Sequence, residues 1–455
     1  MSDGTGRGWR RRRIVVTVAA LAACAAGLPL APAAAARPAP PALVERVSVG
    51  PAGEQADGES AGQSVDASGR LVVFTSFART LLPGNPRGFQ QVYVRNLATG
   101  KLKRISTAPD GSAGNDASWS AVISGNGRYV VFESMATNLA PGRNTGERSE
   151  DVFVHDLVTG RTEVLVANPA GTAANTTSPA VSHDGRFVAF ASTRGDLVPG
   201  DTNGHQDVFV RDRVRRTTER VSVAGGGGQA DTFSMAPSIS ADGSRVGFLG
   251  FPGLAPGGDA PAGAAELRRP QPRIFYVRDL RARRTEVASK DYKGMQVGVY
   301  GTPVLGPDGR HVLFNSLSEP VVPGDTNGKT DTFLRDLRTG DVQMISRAHD
   351  GGPANGMSVP GLALSADSHR VFFVSIASNL VPGDSGTSQD VFVRDVVRGK
   401  TERVSVTRDG GPPNGSAFLE GVDRAGRVAL FTCDADNLVP GDTNKAYDAF
   451  VRRLR

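Results

Sequence analysis

The chain of 455 residues is 39% hydrophobic and 22% charged, the balance of a globular protein. Gly (56) and Pro (29) are abundant, yet together they stay below the roughly 25–30% of low-complexity chains. No Gly-X-Y period runs through it, so a collagen is excluded, and the recurring Gly and Pro exclude a long coiled coil. Most of the formal charge of +6 sits at the N-terminus: residues 1–36 hold five arginines against Asp3, and the rest carries 47 basic and 45 acidic residues. Charge therefore makes no case for nucleic acid as a partner.

Arg10 to Arg13 form a basic segment, Ile14 to Leu28 an apolar stretch, and Ala34-Ala35-Ala36 a small-residue cleavage site. This layout predicts a secretory signal peptide over residues 1–36, too short for a confident membrane span. Leu21-Ala22-Ala23-Cys24 resembles a bacterial lipoprotein box. A lipid on Cys24 is the one membrane contact the sequence suggests. Arg11-Arg12-Arg13-Ile14-Val15 loosely resembles a twin-arginine signal. Plain secretion or envelope association, outside the cytoplasm, is the expectation. Residues 37–43 read as a stiff Pro/Ala linker. Beyond it only Cys433 remains, which suits an oxidising compartment.

Internal repeats dominate residues 44–455. The phrase Ser182-His183-Asp184-Gly185-Arg186-Phe187-Val188-Ala189-Phe190 recurs with its last aromatic at Phe74, Phe132, Phe190, Phe248, Phe314, Phe373 and Phe431. A second phrase, Asp207-Val208-Phe209-Val210-Arg211-Asp212, recurs with its aromatic at Tyr93, Phe153, Phe209, Tyr276, Phe333, Phe392 and Phe450. Both series take one long step in the fourth repeat, an insertion that maps to Pro252 to Pro272.

Each repeat holds four segments rich in Val, Ile, Phe and Thr between turn residues. In the third repeat they are Ala180 to Ser182, Phe187 to Ser192, Val208 to Arg211 and Glu219 to Val223. Four strands per unit around an axis predict an all-β, seven-bladed β-propeller. Val44-Glu45-Arg46-Val47-Ser48-Val49 matches the fourth-strand phrase Glu219-Arg220-Val221-Ser222-Val223, while the chain ends on a third strand at Phe450-Val451-Arg452-Arg453. The N-terminal strand is therefore expected to complete the last blade.

The wording Ser-x-Asp-Gly-Arg-x-x-x-Phe-x-Ser followed by Asp-x-Phe-x-Arg-Asp resembles the TolB-type propeller repeat of bacterial exported proteins, a relative of WD repeats. The resemblance implies blades with the first strand innermost. Loops joining strands 2 and 3 then share a face with loops joining strand 4 to the next blade. The second domain that precedes the TolB propeller has no counterpart here, and a shared fold does not carry an activity.

On that face one polar loop recurs as Asp201-Thr202-Asn203-Gly204 with Asp207, as Asp325-Thr326-Asn327-Gly328 with Asp331, and as Asp442-Thr443-Asn444 with Asp448. Repeat 6 keeps Asp384 and Asp390. The other polar loop carries Asn115, Asn175, Asp231, Asn355 and Asn414. The three full patterns offer side-chain oxygens at spacings that suit calcium, but lack the bidentate Glu of known calcium loops. Turn chemistry is the competing reading: Asp and Asn fold back on backbone N–H groups, and Asp207 pairs with an arginine such as Arg211.

Catalytic-looking motifs have bland readings. Gly383-Asp384-Ser385-Gly386 is a degenerate repeat loop rather than a protease segment. Gly324 to Thr330 is one residue short of a phosphate loop and precedes a strand. His155, His183, His205, His311, His349 and His369 are scattered. The leading expectation is a binding scaffold, without catalysis, whose loop face engages a protein or glycan of the cell envelope. The alternatives are a carbohydrate-active hydrolase or lyase, with acids, His or Arg at the channel mouth, and a propeller stabilised by calcium.

Overall fold

The computed structural model describes residues 44–85, 87–141, 150–166, 175–224, 227–254, 272–318, 320–384, 386 and 388–455. The expected signal peptide and linker, and most of the insertion in the fourth repeat, lie outside the described residues.

The two recurring phrases become the second and third strands of each blade. In blade 3, β11 (Phe187–Ser192) pairs antiparallel with β12 (Asp207–Asp212), and Phe190 stands directly opposite Phe209. Their rings stack with centroids 5.7 Å apart. The same cross-strand pair recurs in every blade, from Phe74 against Tyr93 at 5.4 Å to Phe431 against Phe450 at 5.7 Å. These rings are fully buried. Large aromatics directly opposite one another add stacking to area burial, which is why they mark each repeat.

Seven four-stranded sheets result, each in simple chain order except the last. Blade 7 is built from β26 (Ala417–Val422), β27 (Val428–Cys433), β28 (Asp448–Arg453) and, as its outer strand, β1 (Val44–Arg46). Val44 pairs with Arg452 and Arg46 with Phe450. The N-terminal strand thus closes the ring and covers an otherwise open sheet edge. Among the described residues there is no α-helix.

Two boundaries differ from the repeat pattern. In blade 3 the inner strand starts earlier, as β10 (Thr176–Val181), and passes through a bulge between Thr177 and Ala180. Ser178 adopts a left-handed φ of 55° there, which breaks the period-2 signal. The outer strand is β13 (Thr217–Arg220). Val221 to Val223 leave the ladder because the Ser222 hydroxyl instead caps β12, accepting from Val208 N and donating to Asp207.

At the turns between first and second strands, backbone bonds run from blade to blade around the axis. Ala67 N donates to Gly125 O, His183 N to Ala241 O, Ala241 N to Pro307 O, Ala366 N to Arg424 O, and Arg424 N to Ala67 O. At Gly125 the duty passes to Asn126 N, which donates to His183 O. Pro307 has no N–H to give. At that seam the Ser368 hydroxyl donates to Asp308 instead, at 3.3 Å.

Candidate binding face

The loops that join strands 2 and 3 meet those that join strand 4 to the next blade, as expected. Thr202 N donates to Gln229 Oε1 within blade 3, and Thr443 N to Gln55 Oε1 within blade 7. The same connecting loops also grip the following blade: Asn115 N donates to Asn138, Asn355 N to Asn379, and Asn414 N to Asn437. The loop after blade 5 is thus held between two neighbours, since Asn327 Nδ2 also donates to its Ala354 O. Among the described residues, side-chain amides tie loops of neighbouring blades together at several seams of this face.

The nine residues with calcium-like spacing lie in three of these loops. In blade 3 the Arg220 guanidinium sits between Asp201, at 3.4 Å, and Asp207, at 3.5 Å. In blade 7 Arg46 lies 3.0 Å from Asp442 and 3.5 Å from Asp448. Blade 6 repeats the arrangement with Arg403 between Asp384 and Asp390. The motif Gly383 to Gly386 therefore supplies a structural ion pair through Asp384. Burial pushes the Asp390 carboxyl up to about 6 and also raises Asp201 and Asp448, against the pull of the guanidinium.

The asparagines aim their amide nitrogens inward. Asn203 Nδ2 donates to Ala230 O at 2.6 Å and faces Asp207, while its Oδ1 accepts from His205 N. Asn327 and Asn444 repeat this, donating to Asp331 and Asp448. In blade 5 the arginine position is Met344, which pairs with Phe333 as Arg220 pairs with Phe209. There Asp325 accepts from Val321 N, and Asp331 from Ser346 and Asn327. Among the described residues no group of three or more His, Cys, Asp or Glu is arranged to hold a metal ion.

The arginine that pairs with Asp207 is therefore Arg220 and not Arg211. Four residues along one strand separate Asp207 from Arg211 by about 13 Å, whereas the neighbouring strand brings Arg220 alongside. Arg211 donates to Thr218 instead. Its counterparts Arg95, Arg335 and Arg452 reach the preceding blade's outer strand, at Val47 O, Ala288 O and Val404 O. Desolvation lowers the pKa of all three. They bridge blade seams and do not face the axis.

A cleft of about 320 Å³ opens on the loop face at the seam between blades 7 and 1. Phe77, Phe418 and Tyr447 give it aromatic walls, and Glu59, Gln90 and Thr432 supply polar groups. Phe77 is 45% exposed and Phe418 38%, with Phe418 edge-on to Tyr447 at 6.2 Å. Behind the cleft, Thr432 donates to the half-buried Glu420 at 2.8 Å. Desolvation raises that carboxyl to about 7. The repeat pattern does not point to this cleft, because its residues vary between repeats. The departures themselves, Phe418 and Tyr447, are the available signal.

The opposite end of the axis holds a cavity of about 350 Å³ lined from all seven blades, with His183, Asp308, Asp423 and Arg424 among its walls. Its carboxylates serve turns. Asp308 binds His311 Nδ1 at 2.5 Å, and Asp423 accepts from Arg427 N and Val428 N. Cys433 is fully buried and its pKa is pushed up to about 12 by desolvation.

No family model matches the chain, and no curated protein matches it. Solved structures do. An oligogalacturonate lyase from Vibrio parahaemolyticus is 12% identical, over 91% of this chain and 94% of that one, with a TM-score of 0.53. The propeller domain of the Trilobed protease from Pyrococcus furiosus is 11% identical, over 87% and 93%, also at 0.53. That domain is described as having an open velcro topology, whereas β1 closes the ring here. TolB from Acinetobacter baumannii aligns at 15% identity over 89% and 81%, with a TM-score of 0.37. For the lyase and the protease propeller, both at 0.53, the likeness is one of fold.

Proposed function

We propose that the protein is an extracytoplasmic binding scaffold whose loop face takes a glycan of the cell envelope in the cleft between blades 7 and 1. The observation that carries this reading is the pairing of the exposed Phe77 and Phe418 and the half-buried Tyr447 with Glu59 and Gln90. Sugar rings present apolar C–H faces and hydroxyl edges. A cleft with aromatic sides and a few convergent polar groups matches both. Bonds from the connecting loop to blade 7, Thr443 N to Gln55, and to blade 1, Arg79 N to Asp57, hold this seam before binding, which lowers the ordering cost.

Solubilised cell-wall glycan strands titrated against the full chain test the reading. Phe418→Ala with Tyr447→Ala should weaken binding at least tenfold. Unchanged binding removes the cleft from the account.

A second reading has one observation in its favour. Glu420 holds a proton near neutral pH beside the same cleft, as a general acid of a hydrolase or lyase would. Release of shortened oligosaccharides, abolished by Glu420→Gln, would support it. Binding without turnover supports the scaffold.

A further inference from the structure

The end of the propeller opposite the loop face carries the turns between third and fourth strands. In blades 1, 2, 5 and 6 these turns close on a glycine with left-handed φ: Gly100 (69°), Gly160 (72°), Gly340 (85°) and Gly399 (66°). Blades 3 and 4 place arginines at the same position, Arg216 (φ 57°) and Arg283 (φ 52°). A side chain there strains the backbone, and glycine removes that strain. Two adjacent blades thus accept a local destabilisation that four others avoid. Both replacements add positive charge. Strain retained at neighbouring positions with one chemical outcome points to function.

The surroundings agree. Arg213-Val214-Arg215-Arg216 and Arg281-Ala282-Arg283-Arg284 place six arginines on two neighbouring turns. Arg215, Arg281 and Arg284 are more than 70% exposed. Between the blades runs a cleft of about 430 Å³ with an apolar floor of Phe187, Val210 and Leu280. Three of its four carboxylates are engaged, Asp184 by the Ser182 hydroxyl and Arg186 N, and the fourth, Glu219, lines the cleft wall. Asp212 is held by Arg186 at 2.6 Å, and Asp242 accepts from Ser240 and Ser244 and faces Arg281. A second cleft of about 610 Å³ continues along the outer strand past Glu219; of its arginines, Arg220 is held by Asp201 and Asp207 and Arg278 by Arg283 O and Thr285, while Arg283 is exposed.

We infer that the turn end of blades 3 and 4 is a docking surface for a carboxylate-bearing polysaccharide. Guanidinium forks match carboxylates in two-point geometry, and the apolar floor suits the C–H faces of the sugar rings between them. Two clefts in succession fit an extended chain rather than a single small anion. This surface is separate from the glycan cleft of the loop face and does not depend on it.

The test uses the full chain and alginate, a polyuronate, with neutral dextran as control. Alginate should bind in a salt-sensitive manner and dextran should not. Arg216→Gly with Arg283→Gly should weaken alginate binding at least tenfold while raising the melting temperature, because the strain is relieved. Val397→Ala, on the exposed third-to-fourth-strand turn of blade 6, should leave alginate binding unchanged. A double variant that binds alginate as the parent does overturns the proposal. So does tighter binding to vesicles of anionic phospholipid than to alginate, which would make the surface a membrane contact. A binding loss accompanied by a lowered melting temperature would make these arginines structural and also overturn it.

Discussion

The Ser48 hydroxyl donates to the Asp448 carboxylate at 2.6 Å, across 400 residues of chain. Ser48 also accepts from Ala449 N, and Arg46 joins Asp442 and Asp448 beside it. The ring is therefore closed by side chains as well as by the β1–β28 ladder. The same Ser–Asp–Arg arrangement exists inside blades 3 and 6, where both partners belong to one repeat. Closure reuses a local motif at the longest possible range.

Arg46→Ala would leave Asp442 and Asp448 buried without their cation. Removing one partner of a buried pair costs about 3–5 kcal/mol, so the midpoint of urea unfolding should fall markedly. Arg46→Met with Asp448→Asn should cost less, because no uncompensated charge remains. A single variant as stable as the parent would show that the closure contributes little.

Calcium is expected to leave the melting temperature unchanged to within about 1 °C at millimolar concentration, with or without prior chelation. The reason is that guanidinium groups already face the carboxylates of blades 3, 6 and 7. A rise of several degrees would assign a cation to the loops, and Asp331→Asn would then locate it in blade 5.

The Glu420 carboxyl gives a pH signature. Its folded pKa of about 7 exceeds the ordinary value of 4.5, so the folded state holds the proton more tightly. Stability from this group is full below about pH 4.5 and is lost as pH rises through 7. Glu420→Gln removes that loss. The variant should match the parent near pH 4.5 and exceed it increasingly from pH 5 to 8. A difference independent of pH would contradict the assignment.

Turn glycines covered by the preceding blade should be intolerant. A Cβ on Gly185 would lie 2.1 Å from Tyr129, and one on Gly243 2.3 Å from Phe187, both at left-handed φ. Gly185→Ala and Gly243→Ala should each cost about 1–3 kcal/mol by thermal unfolding. Gly160→Ala, with open space around it, should cost less.

The repeating features are legible in the sequence because each repeat must make the same cross-strand contact. Phe190 and Phe209 announce their pairing by recurring together. The closure by Val44 onward is legible for the same reason, since an unmatched fourth-strand phrase needs a third strand beside it. Two things are hidden. The bulge at Ser178 erases alternation, so the inner strand reads as too short. The partner of Asp207 is misassigned when sought along its own strand, because linear spacing does not show which neighbour lies alongside. The seam cleft is harder still: Phe77 belongs to the first repeat and Phe418 and Tyr447 to the last, so the three meet only where the ring closes. The Gly and Pro excess is explained by tight turns such as those at Gly100 and Gly185. The apparent basicity divides between the first 36 residues and one end of blades 3 and 4.

Hydroxyl-radical footprinting of the full chain, with and without saturating cell-wall glycan, decides whether the seam between blades 7 and 1 is where glycan binds. Protection should concentrate on Phe77, Phe418 and Tyr447 and leave Phe233 and Tyr292, exposed on other blades, reactive. Equal reactivity of Phe77, Phe418 and Tyr447 in the free and bound states would contradict the account.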